Sequence, residues 1–417
     1  MYIDYILDPE SLSLIEASRH GGRHAYLPNI SRLHNFLSLA NIDDFFNAKE
    51  GQLHEFVRVH RGGEETVISS STRFSSKLQK ATIADAYRKG ATLLVSRLER
   101  SEPILGGICR ELEARWGGKS TARAFTTIAA NDGFSTHFDI EPAIIVQLEG
   151  SKHWKLYEQL IKYPLHVMNR DIRNDTSLRL VEELTLHPGD ILFIPGGVPH
   201  SASCANEHSL HLAITVSAFT AADFINFLAT GHSQDTEILR TPIYLDDERA
   251  IEIAAQGIRL FIEQLSDVDA RRLTNNYVRS FNASRHDHDD HSIADISQVD
   301  SIDGDTIVFR NAQNLVTYAE GADKVLIYPS GTVAEGKSLI PKAAHLSLPL
   351  SVAQELRHLN AMEDGVRVRD IPGQLDESSK VLLVRELIRH RILTLRFNKQ
   401  RTSLARPTQT DNQNNEI

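Results

Sequence analysis

The sequence predicts a mainly β domain, an antiparallel barrel or double-sheet jelly roll with helical additions, followed by a helical unit and a mixed C-terminal module. Three observations carry that prediction. Between Arg123 and Phe219 the chain runs in short alternating or wholly apolar segments broken by glycine and proline turns, the pattern of antiparallel strands that close on themselves. On either side of this stretch the apolar residues switch to helical spacing. The length of 417 residues leaves room for two or three domains at roughly 150 residues each.

Taken in order, helical patterns cover Ile30 to Leu39, Ile42 to Phe46, Thr82 to Lys89 and Pro103 to Trp116, with Gly90 to Ser96 reading as a buried strand among them. The strands that follow are Ala143 to Leu148, Lys152 to Tyr157, Val181 to Leu186, Ile191 to Ile194 and Ser209 to Phe219. Helices return at Ala221 to Leu228, Glu248 to Gln264 and Asp269 to Asn282. A polar run beginning Ser284-Arg-His-Asp-His-Asp-Asp-His cannot bury enough surface to order itself and reads as a solvated linker. Beyond it come strands at Thr306 to Arg310 and Lys324 to Tyr328 and a helix at Val352 to Leu359. An amphipathic helix then runs from Gln374 to His390, capped near Asp376 or Ser378, and Ile392 to Phe397 follows as a strand. Helices closing on a short β-ribbon suggest a winged-helix-like module. The expected boundaries are 1–220 for the barrel with its helical N-terminal part, 221–283 for the helical unit, 284–304 for the linker, 305–400 for the winged-helix-like module and 401–417 for a disordered tail.

Composition narrows the function classes. Hydrophobic residues at 41% and charged residues at 24% exclude a wholly disordered chain. Two distant cysteines, Cys109 and Cys204, support neither a disulfide framework nor a thiolate zinc site. The net charge of −10 argues against a protein that works by coating nucleic acid phosphates. The acidic start lacks the pattern of an export signal, and no run of about 18 apolar residues occurs, so a soluble cytoplasmic protein without a membrane partner is expected.

Chemistry concentrates in two places. Gly133-Phe-Ser-Thr-His137-Phe-Asp139 leads into the Ala143 strand, and residues two apart in a strand face one side, so His137 and Asp139 are expected to point together into the barrel. His200 closes Gly189-Asp-Ile-Leu-Phe-Ile-Pro-Gly-Gly-Val-Pro-His200 at the mouth of a neighbouring strand and is placed to be the third ligand. Two imidazoles and one carboxylate on one face of an octahedral metal leave three open positions, the arrangement of a non-haem Fe(II) oxygenase. Lys152 begins the strand that returns along the metal-bearing sheet after the Glu149-Gly-Ser151 turn. A cation inside a barrel needs an anion, and the far carboxylate of 2-oxoglutarate is the partner expected of it. On the last strand, His211, Ala213, Thr215 and Ser217 share a face, and Ser217 or Thr215 is a candidate hydrogen-bond donor to that co-substrate.

The segment from about Gly90 to Phe219 resembles the JmjC-type cupin family of Fe(II)/2-oxoglutarate oxygenases, in particular its ribosomal oxygenase branch. The resemblance lies in Gly133 to Asp139, Val146-Gln-Leu-Glu-Gly-Ser-Lys-His-Trp154, Leu186-His-Pro-Gly-Asp-Ile-Leu-Phe-Ile-Pro195, and His200 followed by Ser209-Leu-His-Leu212. It implies a double-stranded β-helix with a helical dimerisation region and a winged-helix module behind it. The metal ligands would be His137, Asp139 and His200, with Lys152 and Thr127 at the co-substrate. The implied activity is hydroxylation of a protein or peptide side chain, a ribosomal protein included, by a homodimer that consumes O2 and 2-oxoglutarate and releases succinate and CO2. A small-molecule or amino acid hydroxylase with the same centre and a non-catalytic cupin-like scaffold are the competing readings. Many relatives carry Asn and, two residues later, Tyr where this chain has Arg123 and Phe125, a departure that bears on active-site hydrogen bonding and on the substrate.

Overall fold

The computed structural model describes residues 2–35, 37–61, 64–66, 78–128, 131–168, 172–204, 208–244, 248–265, 270–285, 292–311, 314, 316–330, 345–362 and 364–395. The His/Asp tract at 286–291 and the 401–417 tail lie outside them. The chain divides into two compact units, Met1–Thr274 and Asn275–Ile417.

The first unit opens with α1 (Pro9–Gly21), β1 (Ala25–Leu27), α2 (Leu39–Ala48), α3 (Leu53–Phe56), β2 (Val57–Arg61), β3 (Glu64–Glu65), α4 (Lys80–Arg88), β4 (Thr92–Val95) and α5 (Pro103–Trp116). Helix α1 escaped the periodicity reading although its start is well signalled: Asp8 accepts from the Ser11 N–H and Pro9 occupies the first turn. The helix expected from Ile30 is corrected as well. Ser38 and Asn41 form a capping box, so the helix begins at Leu39, and only a 3-10 turn, Leu33–Asn35, precedes it.

Eight strands follow: β5 (Lys119–Thr127), β6 (Asn131–His137), β7 (Ala143–Gly150), β8 (Lys152–Tyr157), β9 (Leu180–Leu186), β10 (Ile191–Ile194), β11 (His200–Cys204) and β12 (Ser209–Ser217). They build two antiparallel sheets, one of eight strands in the order β1-β10-β7-β12-β5-β4-β2-β3 and one of four in the order β6-β11-β8-β9. Ile145, Leu192, Ile194 and Ala213 of the larger sheet share one core with Trp154, Leu156, Leu186 and Ala202 of the smaller, so the sheets face each other as expected of a double-sheet barrel. The opposite face of β5 packs on α5. Each aliphatic side chain buried in this core contributes roughly 1.5–3 kcal/mol. After the barrel come α6 (Ala221–Asp235), α7 (Glu237–Arg240) and α8 (Ala250–Leu265), and the division at Thr274 falls within α9 (Ala270–Ser284).

The second unit holds α10 (Ser292–Ile296), β13 (Ile307–Arg310), β14 (Thr317–Glu320), β15 (Lys324–Tyr328), β16 (Leu346–Pro349), α11 (Ala353–Ala361), β17 (Val366–Arg367), α12 (Glu377–Arg389) and β18 (Leu393–Thr394). Its two sheets have the strand orders β17-β13-β18 and β14-β15-β16. They share a core with Leu356 and Leu359 of α11 and Val384, Leu387 and Ile388 of α12. Among the described residues no helix is long and apolar enough to cross a membrane.

Candidate metal centre

His137 is the last residue of β6 and pairs across the sheet with His200, the first residue of β11. Their rings lie 4.5 Å apart. Asp139 is not in the strand with His137, as the alternation argument required, because β6 ends at His137. The chain turns there instead, held by the Gly197 N–H donating to the Asp139 carbonyl at 2.8 Å. That turn brings a carboxylate oxygen of Asp139 to 3.7 Å from His200 Nε2. One donor atom from each of His137, Asp139 and His200 lies within 4.8 Å of the others.

Each imidazole is fixed through its far nitrogen: Nδ1 of His137 bonds the Ser135 carbonyl at 2.8 Å and Nδ1 of His200 the Val198 carbonyl at 3.0 Å. A ring that donates from Nδ1 to a carbonyl presents a lone pair at Nε2, the state a metal ligand needs. Burial, reinforced by the neighbouring His137, pushes the His200 pKa down to about 4, so its ring is neutral at physiological pH. Before His200, Gly197 has a φ of +77°, and a Cβ there would collide with the Ile161 carbonyl oxygen. Only glycine makes that turn without strain.

Lys152 is 2% exposed and donates from Nζ to Thr127 Oγ1 at 3.0 Å. Lys152 and Thr127, both named from sequence for the co-substrate, are thus in direct contact, and Thr127 Oγ1 in turn meets Thr92 Oγ1 at 3.0 Å. Burial lowers the Lys152 pKa to about 8, with no carboxylate among its causes. The hairpin that delivers it depends on Gly150, whose φ is +60° and whose Cβ would strike the His208 carbonyl oxygen. Ser217 is placed elsewhere. It is exposed at the end of β12 opposite Lys119, six residues or roughly 20 Å along the strand from His211.

A closed circuit of rings includes both candidate imidazole ligands. His137 neighbours His200 at 4.5 Å, His200 neighbours Trp154 at 5.9 Å, and Trp154 neighbours His211 at 5.5 Å. His211 stacks on Phe125 at 5.0 Å, Phe125 meets Phe134 at 5.6 Å, and Phe134 returns to His137 at 5.8 Å. His211 was visible in the sequence only as one of four residues on a strand face. It is buried, and burial first, then the charges of Lys152 and His200, hold its pKa well below the ordinary histidine value. Trp154 Nε1, His211 Nδ1 and Gln147 Oε1 are buried polar atoms with no hydrogen-bond partner among the described residues. Buried polar atoms ordinarily are bonded, so water or a bound polar molecule would satisfy these three. The donor set, neutral imidazoles with a carboxylate, and a buried ammonium beyond it, fit a divalent metal chelated by a dicarboxylate.

Comparison with known proteins relates part of the chain to a known family. Residues 108–224 match the model of the JmjC domain family. A stretch of the chain is similar to ribosomal oxygenase 2 of Bos taurus, 32% identical over 146 residues, which is 34% of this chain and 31% of that protein. The chain thus spans about a third of the length of the curated relatives it matches. The fold is similar to the crystal structure of E. coli ycfD, with a TM-score of 0.52 and 15% identity, covering 93% of this chain and 98% of that one. A second structure of that protein, a ribosomal oxygenase in complex with cobalt and succinic acid, matches with a TM-score of 0.50 and 14% identity over 89% of this chain and 94% of that one.

Proposed function

We propose that this chain, whose residues 108–224 are a JmjC domain, is an Fe(II)/2-oxoglutarate-dependent oxygenase that hydroxylates a side chain of a protein or peptide. One observation carries the reading: His137, Asp139 and His200 bring three donor atoms within 4.8 Å of one another, with both imidazoles locked to present Nε2. The relatives named as ribosomal oxygenases, and the cobalt and succinic acid held by the similar fold, support it.

In this reading His137, Asp139 and His200 hold the iron on one face. Lys152, steadied by Thr127, takes the far carboxylate of 2-oxoglutarate. Burial of Lys152 and the surrounding rings keeps water from screening that ion pair. The metal supplies activation of O2. The overall change balances: one oxygen atom enters the substrate C–H to give C–OH, the other enters succinate, and the 2-oxoglutarate carboxyl group leaves as CO2. The chain's own part is to seat the target carbon in the mouth of the aromatic circuit.

The remaining assignments rest on resemblance. Residues 221–283 form a homodimerisation region, supported by the outward isoleucines of α6 and α8. Residues 305–400 form a winged-helix-like module that docks protein, not nucleic acid, since its acidic and basic residues nearly balance. The linker at 284–304 joins these two regions, and the enzyme works in the cytoplasm. Anaerobic loading with Fe(II) and 2-oxoglutarate, then exposure to oxygen, tests the core of the proposal. Succinate is the expected product. No succinate from the wild type, together with unchanged metal binding by Asp139→Ala, overturns it and leaves a non-catalytic scaffold.

A further inference from the structure

We infer that Arg123 makes this barrel select a substrate side chain that carries a carboxylate, an aspartate or glutamate of a peptide. The inference rests on the oxygenase reading and names the substrate class of the same site.

The direction of Arg123 follows from its neighbours on β5. Ser120, Ala122, Ala124 and Thr126 are buried on one face, and Thr126 Oγ1 bonds the Tyr87 hydroxyl there at 2.7 Å. The other face is the barrel interior: Thr121 Oγ1 meets Thr215 Oγ1 at 3.0 Å, Phe125 stacks on His211, and Thr127 accepts from Lys152. Strand alternation therefore sends Arg123 inward between Thr121 and Phe125. It is half-buried there and has no hydrogen bond or ion pair among the described residues. Across the sheet its successive neighbours are Ala213, Ile145 and Leu192, which offer no acceptor side chain.

Its height in the barrel follows too. On one wall the inward residues step from Thr127 to Phe125 to Arg123, and on the facing wall from Lys152 to Trp154 to Leu156. Lys152 touches Thr127, and Trp154 meets the His211 ring stacked on Phe125, so the two walls run in step. Arg123 then lies level with Leu156, whose sheet partner is His200, itself paired with His137. An arginine at the height of the metal ligands, against alanine and leucine, is a cation in want of an anion. Four residues, about 13 Å of strand, separate it from Thr127, the residue that Lys152 touches. A co-substrate anchored on Lys152 leaves Arg123 for a second anion. The planar guanidinium matches a carboxylate in a two-point clasp.

The 417-residue chain loaded with Fe(II) and 2-oxoglutarate is given two peptide pools, alike except that the central position is Asp or Glu in one and Asn or Gln in the other. Retention on the protein and peptides gained by one oxygen atom are read by mass spectrometry. The expected result is at least a tenfold preference for the acidic pool in both readouts, lost in Arg123→Gln and partly restored in Arg123→Lys. Equal handling of the pools by the wild type overturns the inference. So does an Arg123→Gln protein that keeps the preference while its KM for 2-oxoglutarate rises, which would place Arg123 on the co-substrate. Acidic-pool retention without succinate or oxygen gain supports Arg123 as the carboxylate site while refuting the oxygenase reading, so the two failures are told apart.

Discussion

The barrel and the helices that follow it use the same residue types in opposite ways. In β7 and β10, Ile144, Ile145, Ile191 and Ile194 are buried, while three of the polar residues that point inward, Lys152, Thr127 and His200, are hydrogen-bonded. Helix α6 has no buried residue, and on α8 Ile251, Ile258 and Ile262 face outward at 84%, 60% and 61% exposure, spaced to form one stripe. The barrel is closed on its own core and turns its chemistry inward; the helices turn apolar surface outward. A region that hides its isoleucines carries out its task alone, whereas one that displays them calls for a covering surface, here proposed to be a second copy.

The largest effect that separates the two regions belongs to the ligands. Asp139→Ala is expected to lower iron affinity and succinate formation by about 100-fold or more while leaving the oligomeric mass unchanged. Calorimetric metal titration and light scattering on one sample check both halves. Lys152→Ala comes next. Loss of a charge-assisted partner, roughly 1.5–3 kcal/mol, raises the KM for 2-oxoglutarate by about 10- to 100-fold with little change in iron binding. Equal loss of both would mean that the buried ammonium holds the barrel together, blurring the contrast.

The same lysine gives a pH signature. Its pKa is about 8 in the folded chain against an ordinary 10.5. Above pH 8 the ammonium is lost, so the KM for 2-oxoglutarate should climb by about tenfold per pH unit. Stability should move the other way. Between pH 8 and 10.5 the unfolded chain binds the proton that the folded chain has released, so the unliganded protein gains stability as pH rises, by on the order of 3 kcal/mol over the full window. Chemical denaturation at two pH values and steady-state kinetics at the same values test the opposed slopes, and Lys152→Met should flatten both.

For the helices, Ile258→Asp is expected to convert a dimer into a monomer in light scattering at micromolar concentration, with only a few-fold change in succinate formation. A wild-type monomer under those conditions removes the proposed partner.

The sequence reads well wherever a period of two or a rigid turn sets the outcome. The barrel strands lie where alternation puts them, and Lys152 follows a turn whose φ of +60° at Gly150 favours glycine. The ligand cluster was legible as well, but partly by a faulty route: Asp139 joins His137 through a turn held by Gly197, not by sharing a strand face. What stayed hidden depends on contacts between distant strands. The stacking of His211 on Phe125 and the clasp between Lys152 and Thr127 join residues 86 and 25 positions apart, and no local pattern encodes them. Helix α1 was missed for a different reason, since its signal lay in its Asp8 cap and not in apolar spacing.

The smallest predicted effect separates facing inward from merely lying on the same strand. Ser217 and His211 belong to one strand and one alternating set, yet His211 is walled in by Phe125 and Trp154 while Ser217 ends exposed beside Lys119. Alternation fixes the side of the sheet, but the length of the strand decides whether that side is still interior. Ser217→Ala should therefore leave the KM for 2-oxoglutarate within about twofold, as surface substitutions cost within about 0.5 kcal/mol. Thr127→Val, of nearly equal size, takes the hydroxyl from Lys152 and should raise that KM several-fold, in line with about 1 kcal/mol for a lost buried hydrogen bond. Should Ser217→Ala raise that KM as much as Thr127→Val, the co-substrate would have to extend the full length of β12, and the division of the barrel interior into a Lys152 level and an Arg123 level would not hold.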